Sequence, residues 1–103
     1  MTAPRFDELI HPGTRLSLVA LLASADWAEF AFLRAQLELS DSALSKQLST
    51  LEDAGYVSID RPVRDRRRRV RARLTDAGRA AFEGHVAALQ QIVGTADLER
   101  IAV

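Results

Sequence analysis

The chain has 103 residues, 48% of them hydrophobic and 27% charged, with 14 basic side chains, 14 acidic ones and no cysteine. That length suits one domain around one core, and the composition excludes a disordered chain, a disulfide scaffold and a thiolate metal site. The longest apolar run, Leu18 to Ala23, is far short of the roughly 18 residues of a membrane span, and the first residues lack signal-peptide regions, so a cytoplasmic protein with no membrane partner is expected.

Phe6, Leu9 and Ile10 are spaced to line one side of a short N-terminal helix, with Asp7 and Glu8 at its favourable end. A second helix is predicted from near Pro12. Leu16, Val19, Ala20 and Ala23 form one apolar face and Leu18, Leu21 and Leu22 another, as befits a central, mostly buried scaffold. Ser24 to Asp26 break it, and Trp27 to Glu29 is short enough for a loop or a small edge strand. Phe30, Leu33 and Leu37 predict a third helix that stops near Glu38. Ser40 is placed to cap a fourth, in which Leu44, Leu48 and Leu51 make a narrow apolar stripe and Gly55 suits the C-terminal end. Trp27 and Phe30 are expected in the core; Phe32 falls beside the Phe30, Leu33, Leu37 stripe, where an exposed ring would mark a partner surface or ligand cleft and core packing is the favoured reading.

Tyr56, Val57 and Ile59 form a β-prone stretch, and Val70, Ala72 and Leu74 alternate with Arg69, Arg71 and Arg73 in a second. The two are expected to pair as a hairpin whose connection projects into solvent. Thr75 is an N-cap for a long final helix with Phe82, Val86, Leu89 and Val93 on one face, ending at Gly94; Leu98 and Ile101 beyond it are spaced for another helical turn. The expected organisation is a single domain, 1–103: a helix-turn-helix over about 29–54, a hairpin over about 56–74 and a final helix over about 75–93.

The balanced net charge hides a sharp segregation. Arg61 to Arg73 holds eight of the 14 basic residues against Asp65 alone, a net of +7 opposed by −7 in the rest. A local potential of that kind meets a phosphate backbone, and the self-repulsion of Arg64, Arg66, Arg67, Arg68 and Arg69 needs a counter-charge that duplex DNA supplies. A basic cluster is by itself more often a solvated surface, but arginine almost to the exclusion of lysine favours recognition. Strand alternation divides the segment: Arg71 and Arg73 are placed to pair with Asp60 or another carboxylate, and the tip is left for a groove. On the fourth helix, Ser42, Ser45, Lys46, Ser49 and Thr50 lie off the apolar stripe, short enough for close approach to a major groove and able to meet phosphates or base edges.

The element order is that of a winged helix-turn-helix, mainly α with a small β-hairpin. Three segments carry a further likeness: Ile10-His11-Pro12 with Arg15-Leu16, Leu44-Ser45-Lys46-Gln47-Leu48 with Leu51-Glu52-Asp53-Ala54-Gly55-Tyr56-Val57, and Arg73-Leu74-Thr75-Asp76-Ala77-Gly78-Arg79. In these the chain resembles short single-domain winged helix DNA-binding regulators of the MarR-like type. The resemblance implies a homodimer, with the Phe82, Val86, Leu89, Val93 stripe and the Phe6, Leu9, Ile10 cluster as the apolar surfaces available to it. It also implies a groove-inserting arginine at Arg68 supported by an aspartate two residues earlier; position 66 is Arg66 here, and Asp65 stands one residue early. Glu38 occupies a turn position where such proteins often have glycine, so a differently built turn is expected.

His11 and His85 lie on different elements without the carboxylate or histidine spacing of a zinc site and are read as structural, and no enzymatic motif or cofactor site is found. The expected function is a sequence-specific double-stranded DNA-binding transcriptional regulator, the helix in the major groove and the wing on backbone or minor groove; an effector, if one binds, is not named by the residues. The alternative is a winged-helix interaction module whose basic hairpin grips an acidic protein partner.

Overall fold

The computed structural model describes residues 2–62 and 69–95. Along the chain run α1 (Gly13–Ala23), β1 (Ala28–Glu29), α2 (Phe30–Leu37), α3 (Asp41–Asp53), β2 (Val57–Asp60), β3 (Arg71–Leu74) and α4 (Asp76–Thr95). The described residues are thus mainly helical, with a small antiparallel sheet of order β1-β3-β2.

One core joins these elements. Leu18, Val19 and Leu22 of α1, Leu33 of α2, Leu44, Leu48 and Leu51 of α3, and Val57, Ala72 and Leu74 of the strands pack together. On α1 the larger side chains take the inner face, since they remove more apolar surface from water. Ala20 is consequently exposed and Leu16 and Ala23 are half-buried, a rotation from the expected Leu16, Val19, Ala20, Ala23 face. Phe30 is half-buried against the core, Trp27 is half-buried, and Phe32 is 49% exposed.

The expected hairpin forms, and the short stretch after α1 joins it as an edge strand. Ala72 lies opposite both Ala28 and Ile59, and Arg71 opposite both Glu29 and Asp60. Beyond the strands, the Phe30 N–H donates to the Val70 carbonyl at 2.9 Å, which ties the start of α2 to the wing stem.

Local chemistry sets the helix ends. The Ser40 hydroxyl accepts from the Ala43 N–H at 3.1 Å, and the Thr75 hydroxyl accepts from the Gly78 N–H at 3.0 Å while donating to the Gly55 carbonyl at 2.6 Å. Gly55 takes φ +79°, and the N–H groups of Gly55 and Tyr56 close α3 onto the carbonyls of Glu52 and Leu51 at 2.9 and 3.0 Å. The end of α2 uses the same left-handed device without glycine. Glu38 has φ 53° and ψ 45°, and the Leu39 N–H reaches the Arg34 carbonyl at 3.1 Å. The turn is therefore built in the usual way, with Glu38 bearing a strain of about 1 kcal/mol.

Two helix boundaries differ from expectation. Phe6, Leu9 and Ile10 are not on a helix: Asp7 Oδ1 accepts the N–H groups of Leu9 and Ile10 at 2.9 and 3.3 Å in a local turn, and Pro12 disfavours helical geometry at the residue before it. The N-terminal segment instead lies along α4 as an arm, with the Arg5 N–H donating to the Gly84 carbonyl at 2.9 Å. At the other end, α4 runs through Gly94 to Thr95, because Gly94 does not adopt the left-handed conformation that would cap it. Arg64, Asp65, Arg66, Arg67 and Arg68 at the wing tip, and Leu98 and Ile101 of the tail, lie outside the described residues.

Candidate nucleic-acid interface

The apolar stripe of α3 is spent on the core, with Leu44 and Leu51 fully buried and Leu48 nearly so. Its opposite side consists of Ser42, Ser45, Lys46 and Ser49, all exposed, with Thr50 half-buried at the margin. The Thr50 hydroxyl donates back to the Lys46 carbonyl at 3.0 Å, so its proton is committed within the helix and only its acceptor capacity remains. Ser42 Oγ is 3.3 Å from Ser40 Oγ, which joins it to the N-cap.

A groove of about 590 Å³ separates this helix from the wing stem. Its floor includes Phe30, Leu48 and Ile59, and its rim includes Ser45, Ser49 and Arg69. Arg69 is exposed. The exposed side of α3 and the base of the wing thus border one concave surface, with Asp41 and the Ser45 and Ser49 hydroxyls from α3 and the guanidinium groups of Arg61 and Arg69 from the wing.

Several arginines are already engaged. Arg61 makes a two-pronged bridge to Glu52 at 3.0 and 3.1 Å, and this guanidinium holds the Glu52 carboxyl below its ordinary range. Arg71 donates to Asp60 at 3.0 Å and lies 4.2 Å from the Trp27 ring centroid; Arg73 lies 5.0 Å from the same ring. The expected Arg71 to Asp60 pair is present, and Trp27 is the aromatic platform that the charge pattern alone does not announce. These contacts make Arg61, Arg71 and Arg73 the stem of the wing. Across the helix-turn-helix, Arg34 pairs with Asp41 at 2.6 Å; both are well exposed, so the pair contributes at most about 1 kcal/mol while neutralising an acid at the start of α3.

α3 is also braced from behind. Arg15 of α1 donates to the Leu9 carbonyl at 2.6 Å and to Gln47 Oε1 at 3.1 Å, linking the arm to the middle of α3. The Arg15 to Gln47 contact joins residues 32 positions apart, so no local sequence pattern announces it.

The apolar surfaces assigned to pairing are placed unevenly. Ile10 is fully buried within the protomer and has no surface to offer, a consequence of the turn that replaces the expected helix. Phe6 is 42% exposed, Leu9 is half-buried, Phe82 packs against the core, and Val86 and Leu89 are half-buried. Val93 is 52% exposed beside Ile92 at 55%, a residue the stripe omitted because it lies one position off the period. No helix among the described residues is long and apolar enough to cross a membrane, and no group of three metal-ligating side chains is assembled among them.

Comparison with known proteins agrees with this geometry. Residues 14–93 match the family described as winged helix DNA-binding domain. An uncharacterized protein of Methanocaldococcus jannaschii is 31% identical over 85 residues, covering 82% of this chain and 92% of that one. A transcriptional regulator homologue from Pyrococcus horikoshii OT3 superposes with a TM-score of 0.82 at 22% identity, covering 88% of this chain and 90% of its own. The transcriptional repressor BigR from Xylella fastidiosa superposes at 0.63 with 28% identity, covering 82% and 79%. The first of these structures is described as a transcriptional regulator homologue and the second as a transcriptional repressor. By its matched residues and by its fold, the chain belongs to the winged helix DNA-binding domain family.

Proposed function

We propose that the chain is a sequence-specific transcriptional regulator that binds double-stranded DNA as a cytoplasmic homodimer, α3 entering the major groove and the wing following the adjacent backbone or minor groove. The observation that carries this reading is the division of α3 into a fully spent apolar stripe and an exposed face of Ser42, Ser45, Lys46 and Ser49, of which Ser45 and Ser49 border the same groove as Arg69. Small hydroxyl side chains permit close approach to base edges, and Lys46 adds one cation for phosphate or guanine. Thr50 serves as an acceptor at the edge of that face. Arg64, Arg66, Arg67 and Arg68 supply the remaining positive charge from the wing tip, with Arg68 as the groove-inserting residue.

Fluorescence anisotropy with a random duplex across a salt series tests this. If each protomer neutralises about four phosphates, a dimer loses affinity with a log-log slope of roughly −7. Replacing Arg66, Arg67 and Arg68 together by alanine is expected to weaken binding and flatten the slope. A chain that does not bind duplex at low salt is not a DNA regulator. Selection from random-sequence DNA should return a two-fold-related motif, the signature of paired recognition helices.

A further inference from the structure

His11 and His85 are 74 residues apart in sequence, yet their rings meet, His11 Nδ1 lying 3.2 Å from His85 Nε2. His85 is fully buried. Its other ring nitrogen, Nδ1, accepts the backbone N–H of Asp7 at 3.0 Å. Phe6 packs against both rings, its centroid 4.8 Å from His11 and 4.7 Å from His85.

The backbone N–H fixes the proton positions. Since an amide can only donate, His85 Nδ1 carries no proton, and a neutral His85 must carry its proton on Nε2. That N–H faces His11 Nδ1, which must therefore be an acceptor, leaving the His11 proton on Nε2. The chain from Asp7 N–H through His85 to His11 is complete only when both rings are neutral. A proton added to His85 sets an N–H against the Asp7 N–H, and one added to His11 Nδ1 sets it against the His85 N–H.

We infer that this histidine pair is a protonation-sensitive latch that holds the N-terminal arm on α4 and lets it go as the medium turns acidic. The groups facing the pair offset this only in part. On the arm, Asp7 offers a backbone N–H to His85 and gives its carboxylate oxygens to Tyr56 at 2.6 Å and to the local turn. From α1, Arg15 is turned to Leu9 and Gln47; on α4, Glu83 accepts from Thr2 at 2.9 Å; and Arg5 meets α4 through its backbone. Burial, then the neighbouring His11, depress the His85 pKa, with Asp7 a smaller opposing influence. The arm also carries Leu9, the anchor of Arg15, so its release removes one of the two contacts through which Arg15 braces α3.

The sign follows from linkage. A histidine depressed in the closed state binds fewer protons than in the open state, so closure is complete above the ordinary histidine pKa of about 6.5 and weakens as pH falls below it. The fall is up to about tenfold in the closing equilibrium per pH unit until the depressed value is reached.

A titration of the isotopically labelled full chain from about pH 8 to about pH 5 tests the latch without any DNA. Long-range proton–nitrogen correlation at the high end should show His85 protonated at Nε2 and bare at Nδ1. On acidification, the exchange protection of the Arg5 and Asp7 amides, which bond to Gly84 and His85 of α4, should fall about tenfold per unit while the amides of α3 stay protected. His85→Gln, whose side-chain amide offers an acceptor and a donor without titrating, should hold the arm at both ends of the range; if that variant does not fold, the wild-type titration decides alone. A proton found on His85 Nδ1 at high pH, or arm protection that does not change while the histidines titrate, overturns the proposal.

Discussion

Tyr56 shows how much one residue can depend on parts of the chain remote from it. Its carbonyl receives the Thr75 N–H at 3.0 Å, its hydroxyl donates to Asp7 at 2.6 Å and is held above its ordinary pKa by that carboxylate, and its backbone touches the first turn of α4. A Cβ on Gly78 would stand 2.0 Å from the Tyr56 carbonyl oxygen and 2.8 Å from its carbon, both backbone atoms that cannot swing aside. At Gly84, on the same helix, the nearest atom is 3.4 Å away, an ordinary contact. Gly78→Ala is therefore expected to cost about 2–3 kcal/mol by forcing α4 off the hairpin, a fall of roughly 10–20 °C in Tm. Gly84→Ala should stay within about 1 kcal/mol of the wild type, its tighter fit set against better helix propensity. Thermal unfolding of the two variants separates them; equal losses would mean that close approach to Tyr56 is not what Gly78 provides. The sequence marks Thr75 as a cap, since capping is local, but the need for glycine at position 78 arises from another element and leaves no periodic trace.

At the scale of single elements, α3 was the most legible and the arm the least, for the same reason. The stripe of Leu44, Leu48 and Leu51, the Ser40 cap and the Gly55 terminus are all written within α3 and its flanks, where 3.6-residue periodicity and cap chemistry operate. The arm owes its shape to an Asp7 turn and to bonds with Gly84 and His85, so a spacing that suits a helix misleads there. Legibility extends to the division of labour on α3, which gives a paired expectation. Leu48→Ala should lose about 2–4 kcal/mol of stability, because its side chain is almost wholly buried among core leucines. Ser45→Ala with Ser49→Ala should change stability by no more than about 0.5 kcal/mol, both residues being exposed, while weakening duplex binding by about tenfold through lost hydroxyl contacts. Denaturant unfolding and anisotropy on the same preparations read both quantities. A double serine variant that binds with wild-type affinity would move the recognition surface off α3.

For the whole molecule, the apolar end of α4 bears on how two protomers of the proposed homodimer meet. Ile92 and Val93 are each more than half exposed near the end of a helix whose first turns are locked to the hairpin and whose middle is locked to the arm. In the proposed homodimer that end supplies protomer contacts, with Phe6 as a further apolar surface, whereas Ile10 is withdrawn into the protomer. Pairing has a consequence for DNA binding that stability alone does not test. Each protomer brings its own α3 and wing, so a dimer releases the counterions of both at once, and the salt slope counts protomers on the duplex. Ile92→Glu with Val93→Glu places two like charges on this exposed end of α4, at residues outside the buried core cluster. The wild type should elute at twice the 11.4 kDa chain mass and the variant at the chain mass, and the unfolding midpoint should rise with protein concentration for the wild type but not for the variant. Its slope should fall from roughly −7 to roughly −3.6, because only about four phosphates are then neutralised per binding event. A variant that becomes monomeric yet keeps the steeper slope would show that protomers bind DNA in pairs without this end of α4, leaving the Arg-rich wings or the duplex itself to bring them together.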